Sequence, residues 1–388
     1  MKFVKTDDLV PGMRLAKPIY NRNGVLLYDR NSALSAPGIN SVKNFGLIGV
    51  YILEPAEPLP PMTREDLDFE QHQTIYMFQL RECLDLILKR KPLDPLPSLV
   101  EDILMHYGEL DHRVNFNQNL RSSEDFMYKH AISTAILAAM LSNRLGFERE
   151  EQMALVTAAL LYDIGYRYVP HTILEKGTDL EQGDKDLIQQ SLEKGLNFLG
   201  TYQHDFDFFP QAYSLMATYI FSNNPQKAIK PDGHLALMFR LLKVADCFDQ
   251  LTAMNLGHEP ESEIMAMLHM KRNPKDYSIQ IVNLLAECIH IVPQAANIDL
   301  STGDKGIVLV ENPKDYLHPV ILRLSDNTIY DLSNPDDASR IQIRDIMKTM
   351  DNRVHIDEEA LKHFVPDERL KALTQKFLEK LALSKKQA

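Results

Sequence analysis

Two neighbouring stretches of small and apolar residues, Phe126 to Leu145 and Met153 to Leu161, constrain this chain more than any other feature. The first is rich in alanine and serine and repeats Ile132, Ile136, Leu137 and Met140 at helical spacing. Small side chains let neighbouring helices approach closely, so the pair belongs inside a helical bundle. Further helical patterns flank it. Leu80, Cys83, Leu84, Ile87 and Leu88 form one that ends before Pro92. Lys185 to Leu199, Pro210 to Phe221 and His234 to Met254 form three more.

The expected fold class is therefore mainly α, with a helical bundle over residues 65–293, a small α/β module before it and a short β-containing extension after it. The module, residues 1–62, reads as two short strands within Met13 to Leu27 around Asn23-Gly24, a hairpin signal. A helix near Ile39 to Phe45, closed by Gly46, and a strand at Val50 to Leu53 follow. Pro55, Pro58, Pro60 and Pro61 then make a stiff linker. Within residues 294–388, Ile307 to Val310 and Val320 to Leu324 are strand-like, and the turn-rich Glu311 to Asp315 separates them. A charged helical tail from Asp357 to Lys386, broken at Pro366, is expected last. Its pattern leaves open whether it packs in cis or pairs with another helix, as in a homodimer.

Charge narrows the partners. Lysine and arginine number 42 against 54 aspartate and glutamate, a net charge of −12, and the basic tracts are as short as Lys89-Arg90-Lys91. A nucleic-acid surface is not indicated. Cys83, Cys247 and Cys288 form no CxxC pair, which argues against a disulfide framework and a thiolate zinc site. The main apolar run, Ala154 to Leu161, is too short to span a bilayer, and the N-terminus shows no signal-peptide hydrophobic region. A cytoplasmic protein without a membrane partner is expected.

Several phrases recur in a fixed order: Tyr128-Lys-His130, Ala158-Ala-Leu-Leu-Tyr-Asp-Ile-Gly165, Val169-Pro170 with Ile173-Leu-Glu-Lys176, and Val244-Ala-Asp-Cys-Phe-Asp-Gln-Leu-Thr252. Over roughly residues 100 to 325 this text resembles the HD superfamily, and specifically its HD-GYP branch. The resemblance implies an HD-type helical bundle and a bacterial setting, with the hydrolysis of cyclic di-GMP as the family's usual activity. The N-terminal module looks like one often fused ahead of such a domain.

Carried over position by position, the resemblance matches metal ligands at His130, Asp163 and Asp246. The histidine of the His-Asp pair is replaced by Tyr162, and the next helix's histidine by Ser191. The adjacent His-His pair falls at Ala217-Thr218, or at Thr218-Tyr219 if the alignment slips by one. A phenol is a poor ligand for hydrolytic divalent metals, because tyrosine holds its proton to a pKa of about 10. The Gly-Tyr-Pro signature is absent. The lysine that usually follows Asp-Ile-Gly is Tyr166, and an arginine expected after the Val-Ala-Asp helix is Asn255. Tyr166, Arg167 and Asn255 are candidates for a ligand pocket.

Each survivor also has a simpler reading. His130 on an alanine-rich helix can be a packed, hydrogen-bonded histidine. Asp163, near a helix C-terminus, needs a cation nearby, either a metal or Arg167. Asp246 needs a partner if buried, and His130 can supply it. Tyr162, Tyr166 and Tyr168 cluster at the mouth of the site, where they fill a vacated cavity or stack on a base. The literal His204-Asp205 pair lies between helices, outside the expected register. The resulting expectation is a catalytically degenerate protein that works by binding, a pseudoenzyme, with no catalytic residue. It would hold no cofactor, or at most one weakly bound divalent iron or manganese ion. Its partner would be a protein, for example one of cyclic di-GMP signalling, or a nucleotide bound without turnover. The alternative is a divergent metal-dependent phosphohydrolase with one metal on His130, Asp163 and Asp246.

Overall fold

The computed structural model of the chain describes residues 2–346, except 21–24, 46, 48, 54–62, 117, 119, 120, 122–124, 178, 223, 225, 226, 255–259 and 313. The Asn23-Gly24 turn, Gly46, the proline-rich linker and the expected helical tail lie outside the described residues.

The N-terminal module holds strands β1 (Lys2–Lys5), β2 (Arg14–Leu15), β3 (Ile19–Tyr20) and β4 (Leu26–Tyr28), helix α1 (Ala36–Asn44) and strand β5 (Gly49–Leu53). β5 lies between β1 and β2, antiparallel to both, with Phe3 opposite Tyr51 and Leu15 opposite Ile52. β3 and β4 pair separately. The segment read as one hairpin is thus shared between two small sheets. Ser35 starts α1 by accepting a hydrogen bond from the Gly38 N–H at 3.2 Å, which satisfies one orphan donor of the first turn. Leu15, Leu34, Val42, Val50 and Tyr51 form a separate apolar core, to which the bundle contributes Met254.

The bundle comprises α2 (Arg64–Leu88), α3 (Pro95–Tyr107), α4 (Phe126–Arg144), α5 (Arg149–Leu161), a short α6 (His171–Leu174), α7 (Gln182–Leu199), α8 (Phe209–Phe221), α9 (Gly233–Thr252), α10 (Glu263–Arg272) and α11 (Ile279–Cys288). Thr63 and Asp66 form a reciprocal capping box at the start of α2. Every residue of α4 from Met127 to Ser142 is buried, and the helix packs on α2, α3, α5, α9 and α11. Its small residues have the use the sequence implied, since only a helix without bulky sides can be surrounded so completely.

The chain continues into β6 (Asn297–Leu300), β7 (Lys305–Val310), β8 (Val320–Arg323), β9 (Thr328–Asp331), α12 (Pro335–Arg340) and β10 (Ile343–Ile346). The strands form one antiparallel sheet in the order β10-β6-β7-β8-β9. This is more sheet than the two runs expected, because β6, β9 and β10 are four-residue strands interrupted by aspartate. Ile298, Leu300, Val308, Ile321 and Ile346 share the bundle's core, so the sheet is an added wall of the helical body. Among the described residues, no helix is long and apolar enough to cross a membrane.

Candidate functional site

Three helices bring the site together. α4 carries His130, α5 ends at Tyr162 and Asp163, and α9 presents Asp246 and Asp249 one turn apart. Beyond Asp163 the chain tightens into a 3-10 turn, Ile164–Tyr168, that lies directly on α7. A Cβ at Gly165 would stand 2.4 Å from both the Leu192 Cα and the Ser191 carbonyl oxygen. At Gly195 it would stand 2.6 Å from the Gly165 nitrogen. Two glycines facing each other allow backbone to meet backbone, and this contact fixes where Asp163 sits.

His130 is the hub. Its Nδ1–H donates to Asp249 at 2.5 Å, and Asp249 is fully buried and accepts from Arg121 at 2.7 and 2.9 Å. On its other edge, Nε2 lies 2.8 Å from the Tyr162 hydroxyl oxygen, 3.0 Å from Asp246 and 3.5 Å from Asp163. Tyr162 donates its own proton to Asp246 at 2.7 Å. Asp246 also accepts from Tyr219 and from Gln250, the latter at 2.9 Å. Every polar group in this knot has a partner, which is the condition for burying them together.

Protonation follows from those contacts. Burial opposes a charge on His130, but the hydrogen bonds and charges of Asp246 and Asp249 outweigh it and push the imidazole up to about 10. Asp249 is buried too, yet Arg121 and His130 hold its carboxyl below the usual range. Asp163 goes the other way. Burial and the neighbouring Asp246 raise it to about 7, against the opposing pull of His130 and Tyr162. Burial and the adjacent carboxylates push Tyr162 and Tyr219 well above an ordinary phenol, so both remain protonated donors.

The three expected ligand residues, His130, Asp163 and Asp246, are thus brought together. The other positions sort differently. Ser191 and Ala217 are buried, and the Thr218 hydroxyl donates to the Ser214 carbonyl of its own helix at 2.8 Å. Tyr166 is close enough for Asp163 and Asp246 to raise its phenol, after burial as the main cause. Arg167 is not the partner of Asp163: its guanidinium donates to the Tyr128 hydroxyl and reaches Asp85 at 3.5 Å. The 3-10 turn directs successive side chains to different sides, which separates Arg167 from its near neighbour in sequence. For the same reason Tyr168 leaves the site, stacking on Phe198 under the Lys194 ammonium. Asn255 lies outside the described residues. Sequence reasoning missed Asp249, Arg121 and Gln250. For Asp249 a signal existed, since it stands three residues after Asp246 and therefore on the same helix face.

Residues 115–279 match the family described as HD domain. A cyclic di-GMP phosphodiesterase of Pseudomonas aeruginosa, PA4108, is 22% identical over 208 residues, which are 52% of this chain and 48% of that protein. Cyclic di-GMP phosphodiesterase PdeB of Borreliella burgdorferi is 31% identical over 68 residues, 18% of each chain. Residues 115–279 are thus an HD domain. The matches span about half of the first relative's length and under a fifth of the second's. Bd1817, a HDG"Y"P protein from Bdellovibrio bacteriovorus, aligns with a TM-score of 0.43 and 13% identity over 73% of this chain and 97% of its own.

The residues of this HD domain do not fit a bridged two-metal centre. A ligating imidazole must present a bare lone pair to the ion, but the Nε2 of His130 faces the Tyr162 hydroxyl at 2.8 Å and Asp246 at 3.0 Å. The Tyr162 hydroxyl lies within hydrogen-bond distance of both His130 and Asp246, and the Tyr219 hydroxyl donates to Asp246 as well. Among the described residues, no group of three or more His, Cys, Asp and Glu side chains is arranged to hold an ion.

Proposed function

We propose that this HD-GYP-type protein is catalytically silent and works by binding, as a regulatory component of bacterial cyclic di-GMP-related signalling. One observation carries the reading: the Tyr162 hydroxyl lies 2.8 Å from His130 and 2.7 Å from Asp246, where the family would place imidazole and metal. Hydrolysis of a phosphodiester needs a metal or base to generate a nucleophile and cations to meet the developing charge. Here the imidazolium is already neutralised by two carboxylates, and Tyr166 stands where the family carries a lysine. The activity named for the two relatives supports the signalling context. Thinned phosphate contacts favour a protein partner over a nucleotide, and the site's loss of open coordination favours no resident metal.

A second reading keeps one divalent iron or manganese ion on His130, Asp163 and Asp246, whose side chains do converge. Elemental analysis of gently purified protein, with a cyclic di-GMP turnover assay in added manganese or iron, separates the two. The binding reading expects neither metal nor turnover. Stoichiometric metal with turnover that Asp163→Ala abolishes would overturn it.

A further inference from the structure

A cleft of 620 Å³ opens between α10, α11 and the loop joining β7 to β8, sharing no residue with the His130 knot. Three cations line it, Arg113, Lys271 and Lys314, together with two carboxylates, Asp315 and Glu287, in a chain whose net charge is −12. Among the described residues, neither Lys271 nor Lys314 stands within ion-pair distance of a carboxylate. Lys271 lies over the ring of Tyr316, 4.9 Å from its centroid, which holds the ammonium at the cleft wall. The Arg113 guanidinium has one carboxylate, Glu311, at a loose 3.5 Å. Glu311 divides itself among Arg113, the His290 ring at 2.9 Å and the Gln294 N–H at 2.9 Å.

The wall is also pinned. The side chain of Asn312 accepts from the Lys314 and Asp315 N–H groups at 3.1 and 3.2 Å and donates to the His318 carbonyl at 3.1 Å. Asp315 is occupied by the His318 ring at 2.7 Å and the Leu317 N–H at 3.2 Å. Arg113 is held through its neighbour Val114, which exchanges backbone hydrogen bonds with Cys288 and His290 at the end of α11. Cations on a fixed frame and short of counter-charge suit a tetrahedral oxyanion, with Arg113 supplying a fork and the lysines point charges. The volume exceeds what inorganic phosphate fills and lies in the range of small-molecule sites. Asn283 and Glu287, exposed on the α11 side of the cleft, offer a donor and an acceptor suited to sugar hydroxyls.

We propose that this cleft binds a small organic phosphate of about mononucleotide size, with the phosphate on Arg113, Lys271 and Lys314 and a hydroxylated portion against Asn283 and Glu287.

Titration calorimetry on the full chain tests it, with ADP, adenosine and inorganic pyrophosphate as probes. ADP is expected to bind one-to-one and adenosine not to bind. Lys271→Ala and Lys314→Ala should each weaken ADP by about tenfold, the scale of one charge-assisted contact. Lys271→Arg should restore most of the affinity. Both lysines reach solvent, and an unchanged thermal midpoint checks that the variants fold. Absence of ADP binding, or equal affinity in the wild type and the double alanine variant, overturns the proposal. Pyrophosphate binding as tightly as ADP overturns its organic half.

Discussion

The knot around His130 and the cleft beside Lys271 both gather charged side chains, and they dispose of them in opposite ways. In the knot each charge is met inside the protein: Arg121 by Asp249, His130 by Asp249 and Asp246, and Asp246 by two phenols and an amide. In the cleft, among the described residues, two ammonium groups have no carboxylate within ion-pair distance, one of them lying over the Tyr316 ring, and one guanidinium has a shared carboxylate. A site that answers its own electrostatic demand has little left with which to attract a ligand. One that leaves cations short of counter-charge does.

Asp249→Ala should break the comparison most severely. It removes the buried carboxylate that Arg121 and His130 share, at a cost of about 3–5 kcal/mol. Urea denaturation measures it, and a loss below about 1 kcal/mol would mean the knot is not a satisfied unit. Gly165→Ala attacks the same knot through its backbone. Its new Cβ has nowhere to go against Leu192 and Ser191, so about 1–3 kcal/mol is expected from the same experiment.

Tyr162→Phe removes the hydroxyl that joins His130 and Asp246, leaving a shortfall of about 1–3 kcal/mol. Tyr162→His at the same position sharpens the contrast. Elemental analysis should find more bound manganese or iron in that variant than in the wild type. No gain would show that Tyr162 is not what keeps metal out.

The smallest effect belongs to the edge of the cleft. Burial works against the Glu311 anion, but His290, the Gln294 N–H and Arg113 hold its carboxyl below the usual range. A depressed carboxyl stabilises the fold above its unfolded pKa and ceases to do so as pH falls through the folded one. The wild type should therefore exceed Glu311→Gln in thermal midpoint at neutral pH by the equivalent of about 1 kcal/mol. The two should converge below about pH 4. A constant gap would place the contribution in packing instead.

Much of the helical body was legible in the sequence, because the stripes of α2, α4, α5, α7, α8 and α9 are long and repeat at helical spacing. α10 and α11 were not read, being ten residues each. The strands β6, β9 and β10 were hidden for a related reason, since four residues with an aspartate among them carry almost no periodic signal. At the site, ligand-type residues on helices could be placed by motif, and Tyr162 announced itself by standing in a histidine's position. Arg121 could not be found that way. Arg121 itself belongs to no helix or strand, and its approach to Asp249, 128 positions away, is decided only by tertiary packing. The pairing of Arg167 with Asp85 rather than Asp163 failed for the same cause, because nearness in sequence does not fix direction in a tight turn.

The seam between the N-terminal module and the bundle has a consequence of its own. Lys17 of the module and Glu70 of α2 form an ion pair at 2.6 Å with side chains only 5% and 7% exposed, and Lys17 also reaches the Gln118 carbonyl at 3.5 Å. The Gln118 side chain in turn donates to Thr252 at 2.8 Å and accepts from Arg121 at 3.3 Å, so the seam and the knot share a residue. A chain shortened to begin at residue 63 would strand Glu70 as a lone carboxylate and bare Met254 to water. The N-terminal module therefore covers buried charge and apolar surface of the bundle as part of its packing. Lys17 is linked to His130 through Gln118, Arg121 and Asp249 in turn.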